Sequence, residues 1–280
     1  MRNILADIIT KNIKEMCIEA NYILSDDIKN SIINAAYDEK GQTGKKILAQ
    51  LKENMVIAEN ENIPVCQDTG MAVVFLEIGQ DVHIEGCAIE DAVNEGIRQG
   101  YSEGYLRKSV VGDPIMRENT NDNTPGIIHY EIVSGDKVKI TVAPKGFGSE
   151  NMSRVYMLKP SDGIDGVKNA IIETVKIAGP NTCPPVVIGV GIGGTFEKCT
   201  LLAKKALIRD VNLHNSISYV SQLEDEMLAK INQLGIGPGG LGGSTTALGV
   251  NIEVYPTHIA GLPVAVNMCC HVNRHKTRII

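Results

Sequence analysis

Apolar residues return at every third or fourth position over the first sixty residues, and this spacing predicts three amphipathic helices. The first helix is predicted to bury a face made of Ile4, Leu5, Ile8, Ile9, Ile13, Met16 and Cys17. The second follows Ser25, whose hydroxyl we expect to cap the first helical turn. The third runs from about Thr43 to Asn60, and its inward residues are predicted to be Ile47, Leu48, Leu51 and Val56.

Beyond residue 61 the pattern alternates between strands, loops and helices. In chain order we predict a loop at 62–70, a strand at 71–78, a helix at 88–103, a loop at 113–126, strands at 129–133 and 138–143, a Gly-rich turn at 144–151, a helix at 163–178, a buried strand at 185–190, helices at 195–209 and 218–234, a Gly-rich loop at 235–243, and strands at 245–254 and 262–268. Ser-Gly-Asp separates the strands at 129–133 and 138–143, which predicts a hairpin. The fold class is therefore α+β, a mixture of helix and sheet with an N-terminal helical layer and two α/β lobes.

Composition and charge exclude several classes of protein. The 280 residues contain 27 Lys and Arg against 33 Asp and Glu, a net charge of −6, and only 4% aromatic residues, which argues against a nucleic-acid binder. No apolar stretch approaches the roughly 20 residues of a membrane span. Asp7 and Lys11 interrupt the N-terminal apolar residues, so no signal peptide is predicted and we expect a cytoplasmic protein.

Gly189, Gly191 and Gly194 match the GxGxxG pattern of dinucleotide-binding folds, after a predicted strand and before a predicted helix. That fold also needs an acidic residue at the end of a second strand, and the candidate, Asp210, follows a helical pattern instead. Close packing between strand and helix is the preferred interpretation of these glycines. An NAD-binding dehydrogenase remains as the weaker alternative.

Seven cysteines without CxxC spacing, in a chain without an export signal, predict reduced thiols. Cys17 and Cys199 lie on predicted buried helix faces, Cys199 together with Phe196, Ala203 and Leu207, and Cys87 is also interpreted as a packing residue. Three others, Cys66, Cys183 and Cys270, lack helical spacing and have Pro, Gly or a further Cys as neighbours. Each is a candidate metal ligand, although their wide separation in sequence does not show that they converge.

The number of thiolates matters for function. Three thiolates on a four-iron cluster leave one iron open to act as a Lewis acid, whereas four favour an electron carrier or a regulatory iron-sulfur protein. Cys269 is the possible fourth ligand. Because adjacent residues of an extended segment point to opposite sides, we expect only one of Cys269 and Cys270 to face a common site.

Four segments resemble one enzyme family. They are Cys66-Gln67-Asp68-Thr69-Gly70, the stretch Pro144 to Asn151 (PKGFGSEN), Asn181-Thr182-Cys183-Pro184-Pro185, and Cys270-His271-Val272-Asn273-Arg274. In this order they resemble the N-terminal region, or alpha subunit, of class I iron-sulfur fumarate hydratases and the related tartrate dehydratases. The resemblance spans nearly the whole chain. It implies one alpha-subunit domain over residues 1–280, with lobes around a central cluster site and no C-terminal beta domain.

The resemblance implies a [4Fe-4S] cluster held by Cys66, Cys183 and Cys270, with one open iron. It further implies the reversible hydration of fumarate to L-malate, a reaction of the tricarboxylic acid cycle. Asp68 and His258 correspond to catalytic residues, and Gln67, Arg107 and Gly146 to residues that bind the dicarboxylate substrate. Arg107 matches a carboxylate clamp, for which the paired donors of a guanidinium are suited. L(+)-tartrate dehydratase is the closest alternative, because the two activities share this cluster and differ in how the pocket treats a second hydroxyl.

Where the chain ends also bears on its partners. Single-chain members of the family continue well beyond the segment that corresponds to Cys270–Arg274, whereas this chain ends at Ile280. The resemblance therefore implies a separate beta subunit that completes the active site in a hetero-oligomer. The basic tail with Arg274, His275, Lys276 and Arg278 is interpreted either as a docking edge or as a solvated end.

Overall fold

The computed structural model describes residues 1–280, which form two compact units. Unit 1 comprises Met1–Ser25, Val56–Gly146 and Arg274–Ile280, and unit 2 comprises Asp26–Met55 and Phe147–Asn273. The helices are α1 (Ala6–Tyr22), α2 (Asp26–Asp38), α3 (Gln42–Glu61), α4 (Ile89–Glu103), α5 (Phe147–Glu150), α6 (Gly163–Ala178), α7 (Phe196–Ala206) and α8 (Ser218–Asn232). The strands are β1 (Arg2–Leu5), β2 (Met71–Gly79), β3 (Val82–Glu85), β4 (Ile127–Val133), β5 (Val138–Lys145), β6 (Arg154–Leu158), β7 (Val186–Gly193), β8 (Ala247–Tyr255), β9 (Leu262–Cys269) and β10 (Lys276–Ile279). None of the helices combines the length and hydrophobicity that crossing a bilayer requires.

In unit 1, helices α1 and α4 share one apolar core with a four-stranded sheet of order β10-β5-β2-β4. The two helices approach closely because α4 carries glycine at the contact. A Cβ at Gly96 would lie 2.6 Å from the Thr10 carbonyl oxygen, and one at Gly100 would lie 2.9 Å from that of Lys14. Cys17 is fully buried in this core, and burial raises the pKa of its thiol to about 12, which confirms its packing role.

The predicted hairpin is wrong, although both of its strands are present. Strand β2 lies between β4 and β5, pairing with β4 in parallel and with β5 antiparallel. Five consecutive residues of β2, Ala72 to Leu76, are buried, so this strand needs a partner on each edge as well as cover on each face. Local turn chemistry at Ser134–Asp136 could not reveal this competing pairing.

Unit 2 contains a sheet of order β6-β9-β7-β8 between helices. Helices α6 and α8 share the main apolar core of the unit with this sheet, and α7 packs Cys199 and Ala203 against Ala265. Gly189 and Gly191 lie inside β7, where a Cβ would overlap the carbonyl oxygens of Ala203 and Cys199. These glycines therefore permit close helix–sheet contact, and the dinucleotide-loop alternative finds no support in the fold.

A buried carboxylate organises the end of the Gly-rich loop of unit 2. Glu39 is 1% exposed and accepts hydrogen bonds from three backbone amides. The Gly41 amide donates at 2.8 Å, the Ser244 amide donates to both oxygens at 2.9 and 3.0 Å, and the Thr245 amide donates at 2.8 Å. Burial alone would raise the pKa of Glu39, but the amides of Ser244, Gly41 and Thr245 outweigh it and lower the pKa to about 2.

Several side chains differ from their predicted environments. Leu5, Ile8, Val56 and Phe196 were expected to be buried and are exposed. On α3 the buried apolar positions are Leu48, Met55 and Ala58, because the helical period selects Met55 rather than its neighbour. Cys87 is exposed and is not a packing residue.

Two further local predictions are also wrong: the cap of α2 by Ser25 and the solvated C-terminal end. The Ser25 hydroxyl is buried without a hydrogen-bond partner, so it does not cap α2, whose first turn instead carries Asp26 and Asp27. The basic tail is not a frayed end, and its role as a docking edge stays a prediction. Its residues 276–279 form strand β10, paired with β5, and the Arg278 guanidinium binds Glu15 and Glu19 on α1.

We expect the Glu39 carboxylate to make stability depend on pH. Its pKa is lower in the folded chain than the ordinary value of 4.5, so its contribution is fully present above pH 4.5 and is lost as pH falls towards 2. From this shift, Glu39→Gln should lower the free energy of unfolding at pH 7 by about 3 kcal/mol. Urea unfolding between pH 7 and pH 3 should show the gap between the two proteins closing. Exposed Glu53→Gln is the control, and a constant gap would contradict the assignment.

Candidate functional site

The loop Cys66–Gly70 of unit 1 is held by side chains from distant parts of the sequence. The Tyr101 hydroxyl lies 2.9 Å from both the Thr69 and the Gly70 carbonyl oxygens, and the Asn123 amide donates to the Gly70 carbonyl at 3.2 Å. Tyr101 is fully buried, and burial raises its pKa, so the hydroxyl stays protonated as a donor. A loop without ladder hydrogen bonds is thereby fixed in one conformation.

Asp68 has its carboxylate orientation set by close neighbours. One oxygen, Oδ1, accepts the Gly70 amide at 3.0 Å, which closes a local turn. The other, Oδ2, faces Gly146: a Cβ on that glycine would lie 2.9 Å from it. Gly146 therefore leaves the space that the half-buried Asp68 carboxylate occupies.

Arg274 lies beneath the same loop. Its side chain is 2% exposed, and one of its terminal nitrogens, Nη2, donates to the Asp68 carbonyl oxygen. The other two guanidinium nitrogens, Nε and Nη1, are buried and have no hydrogen-bond partner within the chain. Burial of unpartnered charged donors is costly, so this guanidinium is a feature that packing alone does not explain.

Three further predicted residues belong to this loop or border it. The Cys66 sulfur is half-buried and lies 3.5 Å from the side-chain oxygen of exposed Gln67. Arg107 follows α4, and its carbonyl oxygen accepts the Thr69 hydroxyl at 3.2 Å while its side chain is exposed. Unit 1 thus brings together Cys66, Gln67, Asp68, Gly146 and the backbone of Arg107.

Unit 2 brings Cys183 and Cys270 to the same end of its sheet. Strands β7 and β9 are antiparallel neighbours, and Val187 pairs with Cys269. The residues just before β7 and just after β9 therefore lie at the same end of the two strands. The Nδ1 atom of His271 lies 3.0 Å from the Cys183 carbonyl oxygen, which ties the two segments together. Cys183 itself has a positive φ of 51°, a conformation that loops adopt only where their surroundings fix it.

The seven cysteines differ in burial, and four of them, Cys66, Cys87, Cys183 and Cys270, are at least partly accessible. Cys17, Cys199 and Cys269 are buried, and the Cys269 sulfur lies 3.5 Å from the Asn273 side-chain oxygen. The candidate ligands Cys66, Cys183 and Cys270 are at least partly accessible and lie on segments with a fixed backbone, so their donor chemistry suits thiolate ligation. The chain shows no group of three or more His, Cys, Asp or Glu side chains already arranged around a metal position.

His258 lies elsewhere in unit 2. It is exposed in the loop between β8 and β9, where its Nδ1 accepts the Ala260 amide at 3.2 Å. Eight residues of β9 separate this loop from Cys270, which at roughly 3.3 Å per residue places it about 25 Å away. The structure does not bring His258 together with Cys183 and Cys270 within this unit.

Sequence reasoning missed the side chains that support the site. Tyr101 continues the helical spacing of Val93 and Ile97, so a buried hydroxyl in need of an acceptor was foreseeable from the pattern. The sequence pattern groups Arg274 with the basic residues of the C-terminal tail. Nothing in its local sequence indicates burial beneath a loop two hundred residues earlier, so no sequence signal identified its role.

The chain matches one protein family and several named proteins. The sequence model of the family described as fumarate hydratase (Fumerase) matches residues 10–279. A Methanocaldococcus jannaschii protein provisionally named L(+)-tartrate dehydratase subunit alpha is 42% identical over 272 residues, covering 95% of both chains. The L(+)-tartrate dehydratase subunits alpha of Escherichia coli O157:H7 and K12 are each 29% identical over 260 residues, covering 92% of this chain and 86% of theirs.

We expect Gly146→Ala to displace the Asp68 carboxylate without unfolding unit 1. The new Cβ would lie 2.9 Å from Oδ2, so the carboxylate must rotate and its bond to the Gly70 amide should weaken. Hydrogen exchange of the Gly70 amide should accelerate by about tenfold, which corresponds to about 1.4 kcal/mol. Gly148→Ala, whose Cβ would have its nearest neighbour at 4.0 Å, is the matched control. Equal exchange in the two variants would contradict this picture of Asp68.

Proposed function

Since the chain belongs to the fumarate hydratase family, we propose that it is the alpha subunit of a two-subunit iron-sulfur hydro-lyase that interconverts fumarate and L-malate. The observation that carries this proposal is the fixed loop Cys66–Gly70. This loop carries a half-buried cysteine and a carboxylate that the Gly70 amide orients and for which Gly146 leaves room, in a chain of this family.

The proposed cluster ligands are Cys66, Cys183 and Cys270. When bound, a [4Fe-4S] cluster with three protein ligands supplies a Lewis-acidic iron that polarises a substrate hydroxyl. Support for this assignment comes from the accessibility of all three cysteines, each of which lies in a segment that resembles the family, whereas the fourth accessible cysteine, Cys87, lies outside those segments. Cys269, buried and directed to Asn273, is not proposed as a ligand.

The residues around Asp68 suit the chemistry of a dicarboxylate. A base must remove a proton from the carbon next to the one that bears the hydroxyl, and we assign this role to the Asp68 carboxylate. Gln67 and Arg107 are assigned to substrate binding because both side chains are exposed beside the loop. Gly146 leaves the room that the Asp68 carboxylate needs, and we assign it to the substrate-binding residues by family resemblance. His258 remains part of the proposal by family resemblance alone.

The buried Arg274 adds a fixed positive charge beneath this loop. Its Nη2 atom donates a hydrogen bond to the Asp68 carbonyl oxygen and so fixes the backbone of the proposed base. A dehydration of this type handles two substrate carboxylates and a further developing negative charge, which fixed donors and cations stabilise. We assign direct binding of a substrate carboxylate to Arg107 and support of the loop to Arg274.

We further propose that a beta subunit completes the active site. The named relatives are themselves called alpha subunits, and this chain covers 95% of the length of one of them. A subunit of matching length is expected to need the same kind of partner.

L(+)-tartrate is the second candidate substrate, and the names of the relatives favour it. Malate and tartrate differ by one hydroxyl on the carbon from which the base would take the proton.

Anaerobic assay of the chain co-expressed with a candidate beta subunit tests the function. We expect dehydration of L-malate to exceed that of L(+)-tartrate and of meso-tartrate at equal concentration. Preference for L(+)-tartrate would select the second candidate. Absence of all three activities in a sample with a loaded cluster would refute the hydro-lyase proposal, and tight NAD binding without iron would do so as well.

We expect Cys270→Ser to abolish cluster assembly and Cys269→Ser to preserve it. The first variant removes a proposed ligand, whereas the second changes a buried thiol that contacts Asn273. Iron content and the visible absorption spectrum after anaerobic reconstitution measure the difference. Loss of the cluster in both variants would favour a fully ligated electron carrier, and retention in both would remove Cys270 from the ligand set.

For Arg107→Ala we expect weaker substrate binding in the assembled enzyme, with the cluster spectrum unchanged. Loss of a charge-assisted carboxylate contact costs about 2–3 kcal/mol, so KM should rise by roughly 30- to 150-fold. Lys108→Ala, which removes the neighbouring cation, is the control and should have little effect. An altered cluster spectrum would show instead that Arg107 supports the fold.

A further inference from the structure

The Gly-rich loop at 235–243 has no role in the function proposed so far, yet it packs directly on the segment that carries Cys183. The Gly239 amide donates to the Pro184 carbonyl oxygen at 2.8 Å. Gly240 has a positive φ of 73°, and a Cβ there would overlap Pro180. The loop thus contacts Cys183's segment on both sides of the cysteine, at Pro180 and at Pro184.

The far end of this loop is fastened by Glu39. The carboxylate accepts the amides of Ser244 and Thr245, which directly follow the loop, and a Cβ at Gly243 would lie 2.8 Å from Oε1. A second hydrogen bond closes the loop near its start, from the Gly237 amide to the Thr246 hydroxyl at 3.2 Å. Because Thr246 follows immediately on the residues that Glu39 binds, the carboxylate and this hydroxyl fix both ends of the loop.

Within the loop, backbone hydrogen bonds such as that from the Gly242 amide to the Ile236 carbonyl at 2.8 Å close turns, but its composition makes order costly. Six of its nine residues are glycine, which has the largest conformational freedom to lose on folding. It contributes one short turn at Pro238–Gly240 and no strand. Its order therefore depends on anchors outside it, and the only carboxylate among these contacts is that of Glu39.

We propose that Glu39 is a positioning residue for Cys183: by fastening the Gly-rich loop it fixes the backbone that aims the Cys183 thiol. The inference rests on the proposed function in one respect, that Cys183 is a cluster ligand. Glu39 touches neither the cysteine nor the substrate and acts through Ser244, Gly239 and Pro184. Cys270 directly follows strand β9, and none of the hydrogen bonds of Glu39 involves its segment.

Glu224 provides a matched comparison within the same unit. It is also buried, and it accepts the Ile252 amide at 2.7 Å and the Asn215 amide at 3.0 Å. Those bonds fasten the middle of β8 and the residues before α8, not the Gly-rich loop. Glu224→Gln should therefore disturb unit 2 without disturbing Cys183.

The first measurement needs no cluster. Amide hydrogen exchange is recorded for the full chain carrying Glu39→Gln or Glu224→Gln. Two amides report on the segment: that of Gly239, bonded to Pro184, and that of Cys183, bonded to the Pro180 carbonyl at 3.1 Å. We expect exchange at both to accelerate at least tenfold in Glu39→Gln and to stay unchanged in Glu224→Gln. Acceleration confined to Ser244 and Thr245 would overturn the proposal.

The second measurement uses the reconstituted cluster. We expect Glu39→Gln to bind less iron per chain than the unaltered protein and to show a broadened electron paramagnetic resonance signal after mild oxidation. Glu224→Gln should match the unaltered protein in both. An unchanged signal and full iron content in Glu39→Gln would overturn the positioning role.

A second variant covers the case in which Glu39→Gln does not fold. Gly240→Ala leaves Glu39 in place and forces a methyl group against Pro180, so it should lower iron binding by the same route. Full iron binding by Gly240→Ala would contradict the proposal. Failure of the unaltered chain to bind iron would refute the proposed function, while the exchange result would still decide whether Glu39 fixes the Cys183 segment.

Discussion

The candidate residues depend on hydrogen bonds between buried side chains and the backbone of loops. The candidate residues lie in loops and at strand ends, where no ladder pairs the peptide groups, and unpaired buried peptide groups are costly. In unit 1 the Tyr101 hydroxyl lies within hydrogen-bond distance of the Thr69 and Gly70 carbonyl oxygens. In unit 2 the Glu39 carboxylate accepts hydrogen bonds from the amides of Ser244 and Thr245. Each buried group turns a flexible segment into a fixed one.

The same constraint explains how much of the molecule could be predicted from sequence. Periodicity identified the seven long helices and six of the ten strands, because it depends on burial of one face and therefore on local sequence. It did not identify the short helix α5 or the strands β1, β3, β6 and β10. It failed where distant segments compete. Strand β2 lies between β4 and β5, which the short turn at 134–136 predicts to be a hairpin. Strands β1 and β3 have four residues each and are too short to show a period.

The site was predicted in part. Family resemblance named Asp68 and Gly146, and the structure places the Asp68 carboxylate against Gly146 in the loop that also carries Cys66. The residues that support them, Tyr101 and Arg274, reach the loop from far away in sequence, and only the folded chain shows those contacts. His258 shows the reverse case, since a motif match singled it out and the fold places it at the other end of its sheet from Cys270.

We propose that three thiolates of this chain hold a cluster and leave one iron without a protein ligand. Mössbauer spectroscopy of the chain, reconstituted with iron-57 and assembled with its beta subunit, distinguishes that iron from the other three. We expect three irons of one type and one of another, with only the latter changed by added L-malate. Four equivalent irons, indifferent to the substrate, would contradict it.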